Sequence, residues 1–217
     1  MKGGFDWFME KEIIILTKSA KYGGLCVAGV DFKTGEWIRL VKKGGGQITN
    51  NIMRYRDGSY VKILDCIAVH TLGSAATPIQ PENVYIDIKE GFVKVKKISI
   101  GELLMIHNLE NHKNILGNYS HVIRHNVENV GHSLELIKVQ NAILHRVMGS
   151  NGYYKSKLDF YYNNVHYMNM SITDPDYFNV EDVTRLGELI IVLSIPDDDY
   201  SKNYGYFKFV AKIFRLN

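Results

Sequence analysis

Short apolar runs set the rhythm of this chain. Stretches rich in Val, Ile, Tyr and Phe, most of them bounded by Gly, Asn or Asp, recur along its length, the pattern of a mostly β protein. They predict strands over residues 12–17, 25–31, 36–41, 59–70, 84–88 and 92–98, and again over 134–140, 143–147, 157–162, 165–172, 189–194 and 206–214. Two sets of strands on either side of a central interlude predict two similar β units. No sequence repeat links them, so any duplication is one of structure. The clearest local element is residues 157–172, where strict alternation flanks Asn163-Asn164, a pair that tolerates the positive φ of a two-residue type I′ turn. In that register Tyr162 opposes Val165 and Phe160 opposes Tyr167, an aromatic face turned to a core. Asp159, Tyr161, His166 and Met168 take the other face.

Helical signals are few. Ser99-Ile100-Gly101-Glu102 has the spacing of a capping box, and Ile100, Leu103, Leu104 and His107 then recur at helical intervals, predicting a helix that ends near Asn111. Residues 111–131 read as irregular connection. A turn at Asp174-Pro175-Asp176 precedes a second short helix expected over 180–186. The organisation that follows is an N-terminal extension over 1–11, whose Phe5, Trp7 and Phe8 dock on the body, a first β unit with its trailing helix over 12–115, and a second over 116–217.

A chain of 217 residues can bury a full core, as one large β domain or two small barrels of roughly 100 residues each. Its 26 Lys and Arg against 23 Asp and Glu leave a formal net charge of +3, so a nucleic-acid role would rest on a local patch rather than on overall charge. Cys26 and Cys66 lie in apolar runs without the four-ligand spacing of a zinc site, and read as buried free thiols of a reducing cytoplasm. No segment approaches the roughly 18 apolar residues of a membrane span, and the opening residues lack a signal peptide's apolar region. A cytoplasmic protein with no membrane partner is expected.

One patch combines basic, aromatic and glycine residues. Lys18 and Lys21 precede Tyr22, Gly23 and Gly24, and a glycine pair serves either a tight turn or close backbone approach to a ligand. A second turn, Lys33-Thr34-Gly35, leads to Trp37 and Arg39, which share a face if residues 36–41 form a strand. Lys18, Lys21 and Arg39 could neutralise phosphates while Tyr22 or Trp37 stacks a base. The competing structural reading makes Trp37 a core residue and gives Arg39 a buried carboxylate partner. Tyr153, Tyr154, Tyr161 and Tyr162, interleaved with Lys155 and Lys157, form a second aromatic and basic region. Lys208, inside an apolar final strand, must face solvent, find a partner or meet a ligand.

Over these blocks the chain resembles the dual OB-containing domain family of bacterial conflict and defence gene neighbourhoods. The resemblance is carried by ILTKSAKYGGLCVAGVDFKTGEWIRLV, by Gln80-Pro81-Glu82-Asn83, by His132-Ser133-Leu134, by Ser171-Ile172-Thr173-Asp174-Pro175 and by Tyr206-Phe207-Lys208-Phe209-Val210-Ala211. Leu40-Val41 departs from the Pro-Val that members often have there. The resemblance implies two tandem OB-like β-barrels with one or two short helices, and a nucleic-acid or nucleotide-binding role by analogy of fold.

Catalytic patterns are weak. Asp65 with Asp87-Ile88-Lys89 has the residue types of a metal-dependent nuclease, in which Asp65 and Asp87 would hold the metal and Lys89 would stabilise the transition state. The alternation of helices and strands expected of such a nuclease is missing. His121 and His125 would share a helical face with His132 nearby, yet no Glu lies between them as in a zinc-protease motif, so exposed loop histidines and no metal site are expected. There is no Gly-x-Ser-x-Gly elbow. Gly44-Gly45-Gly46 lacks the Lys-Ser/Thr of a phosphate loop and reads as a connector that orders on binding. Asp197-Asp198-Asp199, ringed by Tyr200, Tyr204 and Tyr206, reads as a solvated loop. The resulting expectation is a non-enzymatic module without cofactor that binds single-stranded nucleic acid or a nucleotide through Lys18, Lys21, Tyr22, Gly23, Gly24, Trp37, Arg39 and Lys208. Its alternatives are a scaffold for a defence-system protein partner and the nuclease.

Overall fold

The computed structural model describes residues 9–89, 91–149, 152–178, 180, 182–196 and 205–216. Phe5, Trp7 and Phe8 lie outside the described residues, as do Asp197, Asp198, Asp199, Tyr200 and Tyr204. One compact unit runs to Thr77 and resumes over Glu82–His107, while the other takes Pro78–Pro81 and the chain from Asn108 onward.

The first unit is built from β1 (Met9–Lys21), β2 (Gly24–Asp31), β3 (Trp37–Lys42), β4 (Asp65–Ser74), β5 (Asn83–Ile86) and β6 (Val93–Lys97). The order is β1-β2-β3-β5-β4-β6, and β1 also pairs with β4, so five strands close into a ring with β6 on its edge. Every pairing is antiparallel except β3 with β5. Ile13, Ile15, Val27, Ile38, Leu40, Ile67, Val69 and Ile86 fill the barrel, and the long connection between β3 and β4 adds Ile48, Met53, Tyr55 and Val61. A helix, α1 (Ile100–Ile106), follows β6. The expected capping box forms: Ser99 Oγ accepts from the Glu102 amide, and the Glu102 carboxylate accepts from Ser99 N. The helix ends earlier than its periodicity suggests.

The second unit closes β8 (Leu134–Met148), β9 (Tyr154–Tyr162), β10 (Val165–Ile172), β11 (Thr184–Ser194) and β13 (Phe209–Arg215) into a barrel of order β10-β13-β11-β8-β9. A small sheet joins β7 (Val122–Ile123) to β12 (Tyr206–Phe207). Among the described residues of this unit the one parallel pairing is β10 with β13. Within each unit the ring therefore runs first, second, third, fifth, fourth strand and back to the first. Two five-stranded barrels of OB topology in tandem are what the resemblance implies.

The hairpin at Asn163-Asn164 has the expected register, with both asparagines at positive φ and with Tyr162 facing Val165 and Phe160 facing Tyr167. Phe160, Tyr162 and Tyr167 are buried, whereas Tyr161, His166 and Met168 are exposed. Three expectations are corrected. Residues 134–147 form one strand rather than two, because Asn141 at φ 50° absorbs the irregularity within β8. Among the described residues of 180–186 the expected helix does not form: Thr184 and Arg185 already pair with Leu144 and Ile143, and Gly187 at φ 71° follows. Residues 59–64 are not strand, since Leu64 at φ 66° turns the chain into β4.

Candidate functional site

At the β1–β2 end of the first barrel, Lys21 pairs with Gly24 across a turn of Tyr22 and Gly23. Gly23 takes φ 77°, which the turn requires. Gly24 answers a different need. A Cβ there would sit 2.4 Å from the Ile48 carbonyl oxygen, because the 44–48 loop folds back and accepts the Leu25 amide at 2.7 Å. Both glycines thus serve backbone geometry. Leu25 pairs with Ala20 on one side and bridges to Ile48 on the other, so it is the loop after β3, rather than β3 itself, that lies against the turn. Lys21 and Tyr22 stand at that turn, and Lys42 and Lys43 at the root of the loop that folds onto it. Tyr22 is 86% exposed, and among the described residues none of the three lysines has an ion-pair partner. Lys42 and Lys43 escaped the sequence reading, although two lysines running into three glycines were the available signal.

Lys18 points elsewhere. Its Nζ donates to the Val61 carbonyl at 2.8 Å, and burial pulls its pKa down despite the nearby Asp65. Arg39 is only 3% exposed. Its Nε and Nη2 donate to Glu82 Oε1 at 3.2 and 3.1 Å, and its Nη1 donates to Cys26 Sγ at 2.6 Å. The guanidinium stays above its ordinary pKa, because Cys26 and Glu82 outweigh burial. The phosphate role expected for Arg39 is therefore corrected: its charge is consumed inside. Trp37 is half-buried against His107, ring centroids 5.0 Å apart and edge-on, while Ile38 and Leu40 fill the core. It shares the outer face with Arg39, and the barrel interior does not use it.

A cleft of about 520 Å³ opens on the same unit, lined in part by Tyr55, Tyr60, Lys62, Phe92 and Lys94 around a fully buried Asp65. The Asp65 carboxylate accepts from Tyr55 Oη at 2.6 Å and Lys62 N at 2.9 Å, and pairs with Lys94 Nζ at 2.8 Å. Although burial raises its pKa, these partners hold it below the carboxylate norm. Arg54 lies over the Tyr60 ring at 4.6 Å. Asp65 and Asp87 are not brought together. The Asp87 amide bonds His70 O, five residues along β4 from Asp65, a separation of roughly 16 Å. Lys89 instead gives its amide to Asp87 Oδ1.

In the second unit Lys208 is 1% exposed, and its Nζ donates to the carbonyls of Ile115 and Asn118 and to Asn118 Oδ1. Burial, only partly offset by Glu135, draws its pKa to about 7. Its assignment to a ligand site is corrected, since the side chain is spent on two loop carbonyls. Asp174 is likewise internal, bonded to Lys212 and the Ile213 amide. Tyr153, Tyr154 and Tyr161 are exposed, Arg146 covers Tyr154 at 4.4 Å, and Tyr161 stacks on His166 at 4.5 Å. His121 and His125 share no helical face, because β7 lies between them, and His121 stacks on Phe207 instead. His132 joins His112 around the buried Glu135, a grouping that no spacing in the sequence announces.

Among the described residues no helix is long and apolar enough to cross a membrane. Neither the curated proteins nor the solved structures give a match. The family models do: residues 11–213 match that of the dual OB-containing domain, which takes in both barrels and the closing strand of each. With two rings of OB strand order beneath that match, the chain belongs to the dual OB-containing domain family.

Proposed function

We propose that the protein is a non-enzymatic binding module whose first barrel holds a single nucleic-acid strand, or a nucleotide-like ligand, at the sheet end formed by Lys21, Tyr22, Lys42 and Lys43. One observation supports the reading: Tyr22 is exposed beside Lys21 at the turn joining the first two strands, the loop that follows Lys42 and Lys43 folds against that turn, and among the described residues none of these lysines has an ion-pair partner. That turn is one of the loops with which OB barrels engage oligonucleotides. The second barrel supports it by repeating the arrangement, with Tyr153, Tyr154 and Arg146 at its own β8–β9 turn. Bases would stack on the tyrosines while the lysines neutralise phosphates, each stacked base contributing about 1–3 kcal/mol. The bacterial defence setting implied by the resemblance belongs to the same proposal.

Fluorescence anisotropy with labelled single-stranded DNA and RNA at low salt tests it. Binding should weaken as salt rises and on combining Lys21→Ala, Lys42→Ala and Lys43→Ala, and Tyr22→Ala should remove about 1–3 kcal/mol. Absence of binding at low salt, or affinity untouched by the triple change, would sink it. The exposed Tyr161–His166 stack with Met168 beside it favours a second reading, a docking face for a protein partner. Salt-insensitive capture of a neighbouring gene product, lost in Tyr161→Ala, would support that reading.

A further inference from the structure

Glu135 stands at the start of β8 with its side chain almost wholly enclosed, and two imidazoles converge on one of its oxygens. His112 Nδ1 and His132 Nε2 each lie 2.8 Å from Glu135 Oε1, and the two rings are 5.1 Å apart. One ligand atom from each of the three residues falls within 4.8 Å of the others. The Leu116 amide donates to both carboxylate oxygens at 3.1 Å, which fixes the carboxylate's orientation. Each histidine is placed by backbone. Gly131, at φ 75°, turns the chain so that His132 enters three residues before Glu135, and Asn163 of the β9–β10 hairpin donates to the His112 carbonyl at 2.7 Å. The His112 and His132 side chains remain 48% and 34% exposed, so the cluster is open to solvent on its histidine side.

We propose that His112, His132 and Glu135 form a three-ligand site for a divalent transition metal, zinc by its donor chemistry, with a fourth position open to water. Two imidazoles and a carboxylate are a donor set of open zinc sites, and an amide holding the carboxylate is the outer-shell support such sites use. With metal–ligand distances near 2.1 Å, tetrahedral donors stand about 3.4 Å apart, so each histidine nitrogen must move out by about 0.6 Å from the 2.8 Å it keeps to Glu135 Oε1, which the half-exposed His112 side chain permits. The surrounding charges favour a cation. Glu110 adds negative potential at His132, and the Lys208 charge facing Glu135 is weakened by burial.

The test uses the full chain stripped with a chelator, titrated with Co²⁺ while visible absorption is read, then with Zn²⁺ by calorimetry. One equivalent should bind, with a tetrahedral Co²⁺ band that Zn²⁺ abolishes and an affinity that falls as pH drops. His112→Ala and Glu135→Gln should each weaken binding more than about tenfold, and His121→Ala should leave it unchanged. Wild-type protein that takes up no stoichiometric Co²⁺ overturns the proposal even if a variant misfolds. Uptake that survives His112→Ala combined with His132→Ala also overturns it. Neither result bears on nucleic-acid binding by the first barrel.

Discussion

Arg39 and Lys208 look like ligand residues in one dimension and are internal in three. A cation in an apolar run has only a few outcomes, and both residues take the partnered one. Arg39 meets Glu82, from the Gln80-Pro81-Glu82-Asn83 block that helps mark the family, beside the parallel β3–β5 pairing. Arg39→Ala should therefore destabilise by about 3–5 kcal/mol, chiefly by stranding the Glu82 charge. Arg39→Met combined with Glu82→Leu should recover most of the loss, and urea denaturation of the three proteins checks it. Lys208 gives a pH signature. Its folded pKa of about 7 lies below its ordinary value, so from about pH 7 upward the unfolded chain holds a proton the folded chain has lost. Stability should rise with pH through that window, up to the unfolded pKa. Lys208→Met should flatten the rise relative to wild type, read as urea midpoints near pH 6.5 and 9.

Elements whose determinants are local were readable in the sequence. The capping box at Ser99 and the Asn163-Asn164 hairpin carry their instructions within a few residues, and both form as expected. Residues 180–186 show the opposite case, since the turn at Asp174-Pro175-Asp176 points to a following helix while pairing with β8, some forty residues upstream, makes residues 184–186 the start of a strand. The first-barrel motif carries a further constraint that composition hides. Gly29 faces Ile15 in the antiparallel β1–β2 pairing, beside its register shift, and a Cβ would come within 1.9 Å of the Ile14 carbonyl oxygen and 2.8 Å of its carbon. These are backbone atoms that cannot rotate away. Gly29→Ala should cost about 3 kcal/mol, the upper end of overpacking, or prevent folding, and a thermal melt compared with Gly44→Ala would show it. Gly44 is the informative control, because its substitution meets positive φ but open space. The glycine of the Cys-x-Ala-Gly strand is thus a requirement of architecture.

At the scale of the molecule, residues that identify the family and residues free to bind are largely different sets. Arg39, Glu82, Asp174 and Lys208 are sealed within their units, whereas Lys42, half-buried, and Lys43, exposed, carry no motif and make no ion pair among the described residues. The lysine cluster was only half legible, because the fold-back of residues 44–48 that completes it is set by a long-range hydrogen bond to Leu25. The His112, His132 and Glu135 grouping was illegible for the same reason, as its members meet through a loop and a strand start with no fixed spacing. This separation fixes what salt should do. A net charge of +3 generates little long-range attraction, so binding should depend on the few lysines that touch phosphate. For a single strand each neutralised phosphate contributes about 0.7 to the slope of log affinity against log salt, so Lys21, Lys42 and Lys43 predict a slope of about −2. The Lys21, Lys42 and Lys43 triple alanine variant should bring it near zero, and Arg39→Met combined with Glu82→Leu should leave it at about −2 because the Arg39 charge never reaches solvent. A wild-type slope steeper than about −4 would show that the contact surface extends well beyond this sheet end.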